Sequence, residues 1–320
     1  MVPDQQKRDD YWMEQMLAGN FENAWKFSDE VLEKRKGVPC FHLPRHQQYI
    51  WNGTSLENKC VLVRCYHGLG DTIQFVRFMP QLKKIARRVI VWAQEPLIPL
   101  LKTVEGIDEI LPLHDGAPGV DYDVDVEIME LAHVFRITPS TIPKKIPYIH
   151  TEPMELTGDD TKMKIGLMWK VGEWDSTRSI PFSDLSPLFE INNTDIYILQ
   201  HEPEAAGWQP GYGIYPGNFR LYDFARLIRN LDLVVTVDAM PTHLAGSQGI
   251  PVFVLLKKYA DWRWMSNRKD SPWYPTVRLF RQEEDCNWSH VVQEAADEIE
   301  QLVNRNLEAR QTRHHLNTSM

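Results

Sequence analysis

Between Asp10 and Lys36 the apolar residues Trp12, Met16, Leu17, Phe21, Trp25, Phe27, Val31 and Leu32 recur at helical spacing. Gly19-Asn20 interrupts the run, which predicts two short helices folded back as a hairpin. From Lys59 the pattern changes. Cys60–Cys65 is a continuous buried-strand run, the glycine-rich stretch His67–Asp71 comes next, and Thr72–Ala86 reads as a helix. Val89–Ala93 predicts the next strand, Pro96–Val104 a helix, Glu109–Leu113 a short strand, and Tyr122–Glu127 an edge strand. Strands that alternate with helices at this spacing build a parallel, doubly wound α/β sheet.

Thr138–Asp160 is punctuated by Pro139, Pro143, Pro147 and Pro153 and reads as a linker. The alternation then restarts: strands at Lys164–Trp169, Asp195–Gln200, Leu233–Val237 and Val252–Leu256, with helices at Pro181–Phe189, Leu221–Asn230 and His243–Gly249. Tyr259–Gln282 is irregular and rich in tryptophan. The chain closes on an amphipathic helix whose apolar face is Val291, Val292, Ala295, Ile299, Leu302 and Val303, capped by Asn287 or Ser289. The expected division is a helical segment 1–57, α/β domains 58–150 and 151–286, and a final helix and tail 287–320. Two open α/β domains on a proline-rich hinge imply a cleft at the carboxyl ends of their strands.

Charge narrows the partners. Thirty-five Lys and Arg against 44 Asp and Glu leave a net charge of −9, which lacks the broad positive field of a nucleic-acid binder. No apolar run approaches the ~20 residues of a membrane helix, and Met1–Arg8 has no apolar signal core. Cys40, Cys60, Cys65 and Cys286 form no metal-like spacing and read as reduced thiols of a cytoplasmic protein. His42, His46 and His114 have no ligand-like neighbours, and His314-His315 reads as a tail. No metal site or cofactor is expected.

Four constellations could carry chemistry. In His67-Gly68-Leu69-Gly70-Asp71-Thr72-Ile73-Gln74, glycines turn the first strand into a helix, and Asp71 reads as a general base or as a helix cap. Ile73 at the third glycine position argues against a dinucleotide fingerprint, and so against a nicotinamide-dependent oxidoreductase. In Leu233–Gly249, Asp238 sits at a strand tip, and Thr242 and the amides near His243 suit a diphosphate; a capped helix is the plainer alternative. After the strand that ends at Trp169, Lys170 and Arg178 are cations fit for a phosphate, or simply solvated side chains. Asp261–Pro275 packs Trp262, Trp264 and Trp273 with Arg263 and Arg268, as a stacking surface or as a plug over the domain edge. Gln200, at the end of its strand, joins the donor-side candidates.

HGLGDTIQFVRFMPQL followed by WAQEPLIPLLKTVEGIDEIL resembles the amino-terminal half of the ADP-heptose:lipopolysaccharide heptosyltransferases, glycosyltransferase family nine. RSIPFSDLSPL, LVVTVDAMPTHLAGSQGIPVFVLL and DWRWMSNRKDSPWYPTVRLFRQ resemble its carboxyl-terminal half, in the branch fused to tetratricopeptide repeats. Leu17–Trp25 looks like half of such a repeat, and a lone unit must lean on the domain next to it. The resemblance covers about residues 10–305, in order.

It implies a GT-B fold: two facing Rossmann-like domains, here with a short N-terminal helical hairpin, and a final helix crossing back to the first domain. It implies inverting, metal-independent transfer of a sugar, a heptose among the candidates, from a nucleotide diphosphate donor to an acceptor hydroxyl. Asp71 would be the base, in a cleft loop with His67, Gly68, Gly70 and Gln74. Lys170, Arg178, Gln200, Asp238, Thr242 and His243 would hold the donor, with Trp262, Arg263 and Arg268 at its base or sugar. The acceptor could be a glycan, lipid, protein or small molecule. Two departures stand out: Ala239 replaces the hydroxyl residue the family carries after the second aspartate, and Val171-Gly172-Glu173-Trp174 with Asp175 brings acidic residues to the phosphate loop. These favour the other reading, a non-catalytic nucleotide-sugar or glycan-binding protein on the same scaffold.

Overall fold

The structure, a computed structural model, describes residues 3–284 and 287–318, without the side chains of 3–9, 173, 174 and 309–318. The expectation placed on Cys286 lies outside the described residues, as do the side chains of Glu173, His314 and His315, the last two standing in the backbone of the final helix.

Helices α1 (Pro3–Leu17) and α2 (Phe21–Arg35) form the hairpin. The first α/β half comes next: β1 (Cys60–Arg64), α3 (Leu69–Phe75), α4 (Met79–Ile85), β2 (Arg88–Ala93), α5 (Ile98–Leu101), β3 (Glu109–Pro112), β4 (Val124–Glu127) and α6 (Leu131–Val134). The second half holds β5 (Met163–Met168), α7 (Ser186–Phe189), β6 (Thr194–Ile198), α8 (Leu221–Ile228), β7 (Leu233–Val237), α9 (Met240–Gln248), β8 (Val252–Leu256), β9 (Val277–Arg281) and α10 (Ser289–Thr318).

Both sheets are parallel, in the orders β3-β2-β1-β4 and β6-β5-β7-β8-β9. Each reverses its winding once, between β1 and β4 and between β5 and β7. Ligands of open α/β sheets sit outside the strand ends at such points. The two segments after β1 and β5, and those after β4 and β7, are therefore the ones that can build a site.

One apolar core runs through both halves without a break. It joins Val61, Val63 and Phe75 of the first half to Val234, Leu244, Trp262 and Trp273 of the second. The seam is the packing of α3 on α9. Gly70 makes that approach feasible, because a Cβ there would stand 3.0 Å from His243 Cδ2 and 3.4 Å from the Met240 Cα. Buried Arg77 stitches the same seam, with Nη2 donating to the Tyr148 hydroxyl at 3.0 Å and Nη1 donating to the Trp273 carbonyl.

The hairpin leans on both halves. Trp25 Nε1 donates to the Ile137 carbonyl at 2.6 Å, and Arg136 grips Asp29 with both terminal nitrogens. Trp12 and Phe21 pack edge-on against Trp262, at ring-centre distances of 5.6 and 6.0 Å.

Several expected boundaries move. The helix after β1 begins at Leu69, ahead of Thr72, and breaks into α3, a 3-10 turn and α4. Helix α9 begins at Met240, ahead of His243, with Pro241 in its first turn, where the missing N–H costs nothing. The stretch expected to be irregular contains β9. The final helix, expected to cross back to the first half, packs on α7, β8 and β9, and its buried Val291, Val292, Ala295, Ile299 and Val303 join the core of the second half. Those five side chains complete the face of the second sheet that α7 leaves uncovered.

Candidate functional site

A cavity of about 950 Å³ lies where the two winding reversals face each other. The segment after β1 supplies His67, Gly68, Gly70 and Asp71; the segment after β5 supplies Val171, Asp175 and Arg178. From beyond β7 come Asp238, Ala239, Met240 and His243, and from beyond β8 come Lys257, Asp261 and Arg263. Asp71 and Asp238 thus share one crevice.

Asp71 is the third residue of α3, and not its N-cap; that place belongs to Gly68. Its Oδ2 accepts the Gly68 N–H at 2.9 Å, and its Oδ1 accepts from Arg263 Nη2, which arrives from the other half. Arg263 also pairs with Asp261 at 2.9 Å, and Phe75 and Trp262 lie beneath its guanidinium. The acid and its cation therefore come from different sheets.

Behind this pair stands Glu127, at the tip of β4 and 2% exposed. Burial pushes its carboxyl well above the usual range, and its Oε2 lies 3.8 Å from His67 Nε2. Burial lowers the His67 imidazole in turn.

On the second half, Arg178 Nη1 donates to the Asp238 carbonyl at 2.8 Å. Lys257 Nζ donates to Asp175 Oδ2 at 2.7 Å, and Arg178 Nε stands 3.6 Å from the same oxygen. The N-cap of α9 is Ala239, which gives the helix start no side-chain acceptor. That leaves the positive end of a nine-residue helix facing the cavity. His243 is buried, shares a 3.0 Å hydrogen bond with the Tyr274 hydroxyl, and is kept neutral by burial and by the charges of Arg263 and Arg77.

Other expected site residues have different surroundings. Lys170 turns away and donates to the Ala205 carbonyl at 3.1 Å. Gln200 Oε1 accepts the Lys170 N–H at 2.9 Å and lines a smaller slot of about 200 Å³, beside Ile198, Phe219 and Phe224. That slot shares Met168 and Met240 with the main cavity. Thr242 is buried and donates to the Val237 carbonyl at 3.2 Å. Gln74 is fully buried, Trp262 belongs to the core, and Arg268 pairs with Asp270 outside the cavity. Lys170 thus faces solvent, Gln74, Thr242 and Trp262 face the core, and Gln200 faces the smaller slot.

Sequence reasoning misses Lys257, Asp261 and Glu127 as site residues. Lys257 directly follows the apolar run of β8, and a cation at that strand tip is a readable signal. Among the described residues no cluster of His, Cys, Asp and Glu could hold a metal ion.

Asp238 carries a pH dependence. Burial, reinforced by the Asp261 charge, raises its carboxyl from 3.8 to about 6. The folded protein therefore holds this proton more tightly than the unfolded chain. The stabilisation is complete below about pH 4 and is lost as pH rises through about 6. Asp238→Asn is neutral throughout. Its stability relative to wild type is expected to improve by on the order of 2–3 kcal/mol between pH 4 and pH 7, read by urea unfolding at both.

Two parallel α/β halves with a crevice between their strand ends make the GT-B fold. Two solved structures share it with the chain. The glycosyl transferase family 9 protein of Veillonella parvula DSM 2008 aligns with 72% of this chain and 87% of its own, at TM-score 0.50 and 16% identity. The E. coli ADP-heptose lps heptosyltransferase II aligns with 77% of this chain and 99% of its own, at TM-score 0.53 and 12% identity. In sequence, Protein FlbA of Caulobacter vibrioides is 24% identical over 313 residues, which takes in 85% of this chain. The chain spans about half, 51%, of that protein's length. No protein-family profile matches the chain. Among the described residues no helix is long and apolar enough to cross a membrane.

Proposed function

We propose that the protein is an inverting glycosyltransferase that moves a sugar from a nucleoside diphosphate to an acceptor hydroxyl without a metal. The observation that carries this reading is the cavity that unites Asp71 from one sheet with Arg178, Lys257 and the start of α9 from the other. Residues 58–150 then form the acceptor side and 151–286 the donor side, with the hairpin supplying Met13 and the segment after it His46 to the acceptor wall.

In this scheme Asp71 takes the proton of the acceptor hydroxyl as its oxygen attacks the anomeric carbon. The bond from that carbon to the diphosphate breaks, and the electron pair stays on the diphosphate oxygen. Arg178, Lys257 and the α9 dipole meet the charge that develops there. The apolar slot beside Met240 takes the nucleobase, with Gln200 at its edge. The ADP-heptose named for the E. coli relative makes an ADP-linked heptose the first donor to try.

Calorimetry with ADP, GDP, UDP and dTDP, followed by turnover of the matching sugar donors with and without EDTA, tests the proposal. One nucleotide is expected to bind, and its donor to turn over equally in EDTA with inversion at the anomeric carbon. Failure of all four to bind would sink the reading. Binding without transfer or donor hydrolysis would replace it by a binding function.

A further inference from the structure

The donor-side cations Arg178 and Lys257 already have a carboxylate partner, and it is the same one. Asp175 Oδ2 accepts from Lys257 Nζ at 2.7 Å and stands 3.6 Å from Arg178 Nε. Lys257 Nζ also donates to Thr177 Oγ1 at 3.0 Å, and that hydroxyl donates in turn to Asp175 Oδ1. A single carboxylate thus fills the fork between the two cations that the proposed function assigns to the diphosphate.

The loop that carries it is a local excursion. Val171–Ser179 closes on itself through the Val171 N–H and Ser179 Oγ at 3.1 Å. Within its 3-10 turns Asp175 leaves helical geometry, at φ −150° and ψ 79°, and its carboxylate stands beside Arg178 Nε. Arg178 Nε is buried and has no hydrogen-bond acceptor among the described residues. Burying such a donor unsatisfied is unfavourable, and a bound anion would relieve it.

We propose that Asp175 is a built-in substitute for the donor's phosphate, an autoinhibitory carboxylate that must leave the Arg178–Lys257 fork before a nucleoside diphosphate can enter. The inference rests on the proposed donor site and adds its regulation. A diphosphate brings more charge and more acceptor oxygens than one carboxylate, so it wins the exchange when present. When it is absent, the plug cancels one of the fork's two positive charges and competes with weaker anions. The apparent affinity is lowered by the fraction of molecules whose fork is filled.

The test is calorimetric titration of wild type, Asp175→Asn and Asp175→Glu with inorganic pyrophosphate and with ADP, GDP, UDP and dTDP. Asp175→Asn is expected to bind pyrophosphate and the preferred nucleotide roughly 5–10-fold more tightly, the gain from removing a plug that fills some nine-tenths of the molecules. Its affinity should also fall more steeply with salt, because the fork then meets the anion with two uncompensated positive charges in place of one. Asp175→Glu, which keeps the charge, is expected to recover most of the wild-type weakness. Thermal unfolding of the ligand-free variants checks that each is folded. Equal or weaker binding by folded Asp175→Asn overturns this proposal and leaves the proposed function standing. Failure of pyrophosphate and of every nucleotide to bind any of the three proteins overturns both.

Discussion

Asp71→Asn is expected to lower turnover of the sugar donor by two to four orders of magnitude, roughly the contribution of a positioned general base. The amide retains the size of the side chain and still has an oxygen to accept the Gly68 N–H, so α3 keeps its cap. What is lost is the proton acceptor and half of the ion pair with Arg263. Nucleotide affinity should therefore stay within a few-fold of wild type, while kcat collapses. Stopped assays of donor consumption, set beside calorimetry on the same preparations, separate the two quantities. Full activity in the variant would remove Asp71 from the mechanism.

Arg263→Met has the largest expected effect on stability. The Arg263 side chain is 10% exposed and pairs with Asp71 and Asp261, whose side chains are 24% and 33% exposed. Removing one member of a buried pair leaves its partners uncompensated, at about 3–5 kcal/mol for full burial. The two aspartates keep part of their hydration, so about 3 kcal/mol is expected, the lower end of that range. The midpoint of urea unfolding reports it. Arg263→Lys should recover only part, since an ammonium cannot reproduce the guanidinium's planar fork between two carboxylates. A midpoint within error of wild type would mean that the cross-half ion pair contributes nothing to holding the two halves together.

The runs of apolar residues that form β1, β2, β5, β7 and β8 are legible because parallel strands are covered on both faces and read as unbroken apolar stretches. β9 is not. Its Val277-Arg278-Leu279-Phe280-Arg281 carries two arginines and follows a tryptophan-rich loop, which masks the strand. The pattern puts the starts of α3 and α9 three residues late, because Gly68-Leu69-Gly70 and Met240-Pro241 look like turns while in the fold they open the helices.

The site is legible to the same depth. Residues at strand tips and in the loops just beyond them, Asp71, Arg178 and Asp238, do line the cavity. Lys170 and Thr242 sit on the same segments but face elsewhere, and loop composition does not encode the direction of a side chain. The partnership of Asp71 with Arg263 spans 192 positions of the chain and is created only by tertiary packing.

Helices from the two halves meet at Gly70, where a Cβ would stand 3.0 Å from His243 Cδ2 and 3.4 Å from the Met240 Cα, so that any larger residue needs the facing helix to give way by a few tenths of an ångström. Hybrids that join the front of this chain to the back of a relative would have to match that contact before any new sugar preference could be expressed. Recombination between the halves is therefore sensitive to how closely α3 and α9 fit at this one contact.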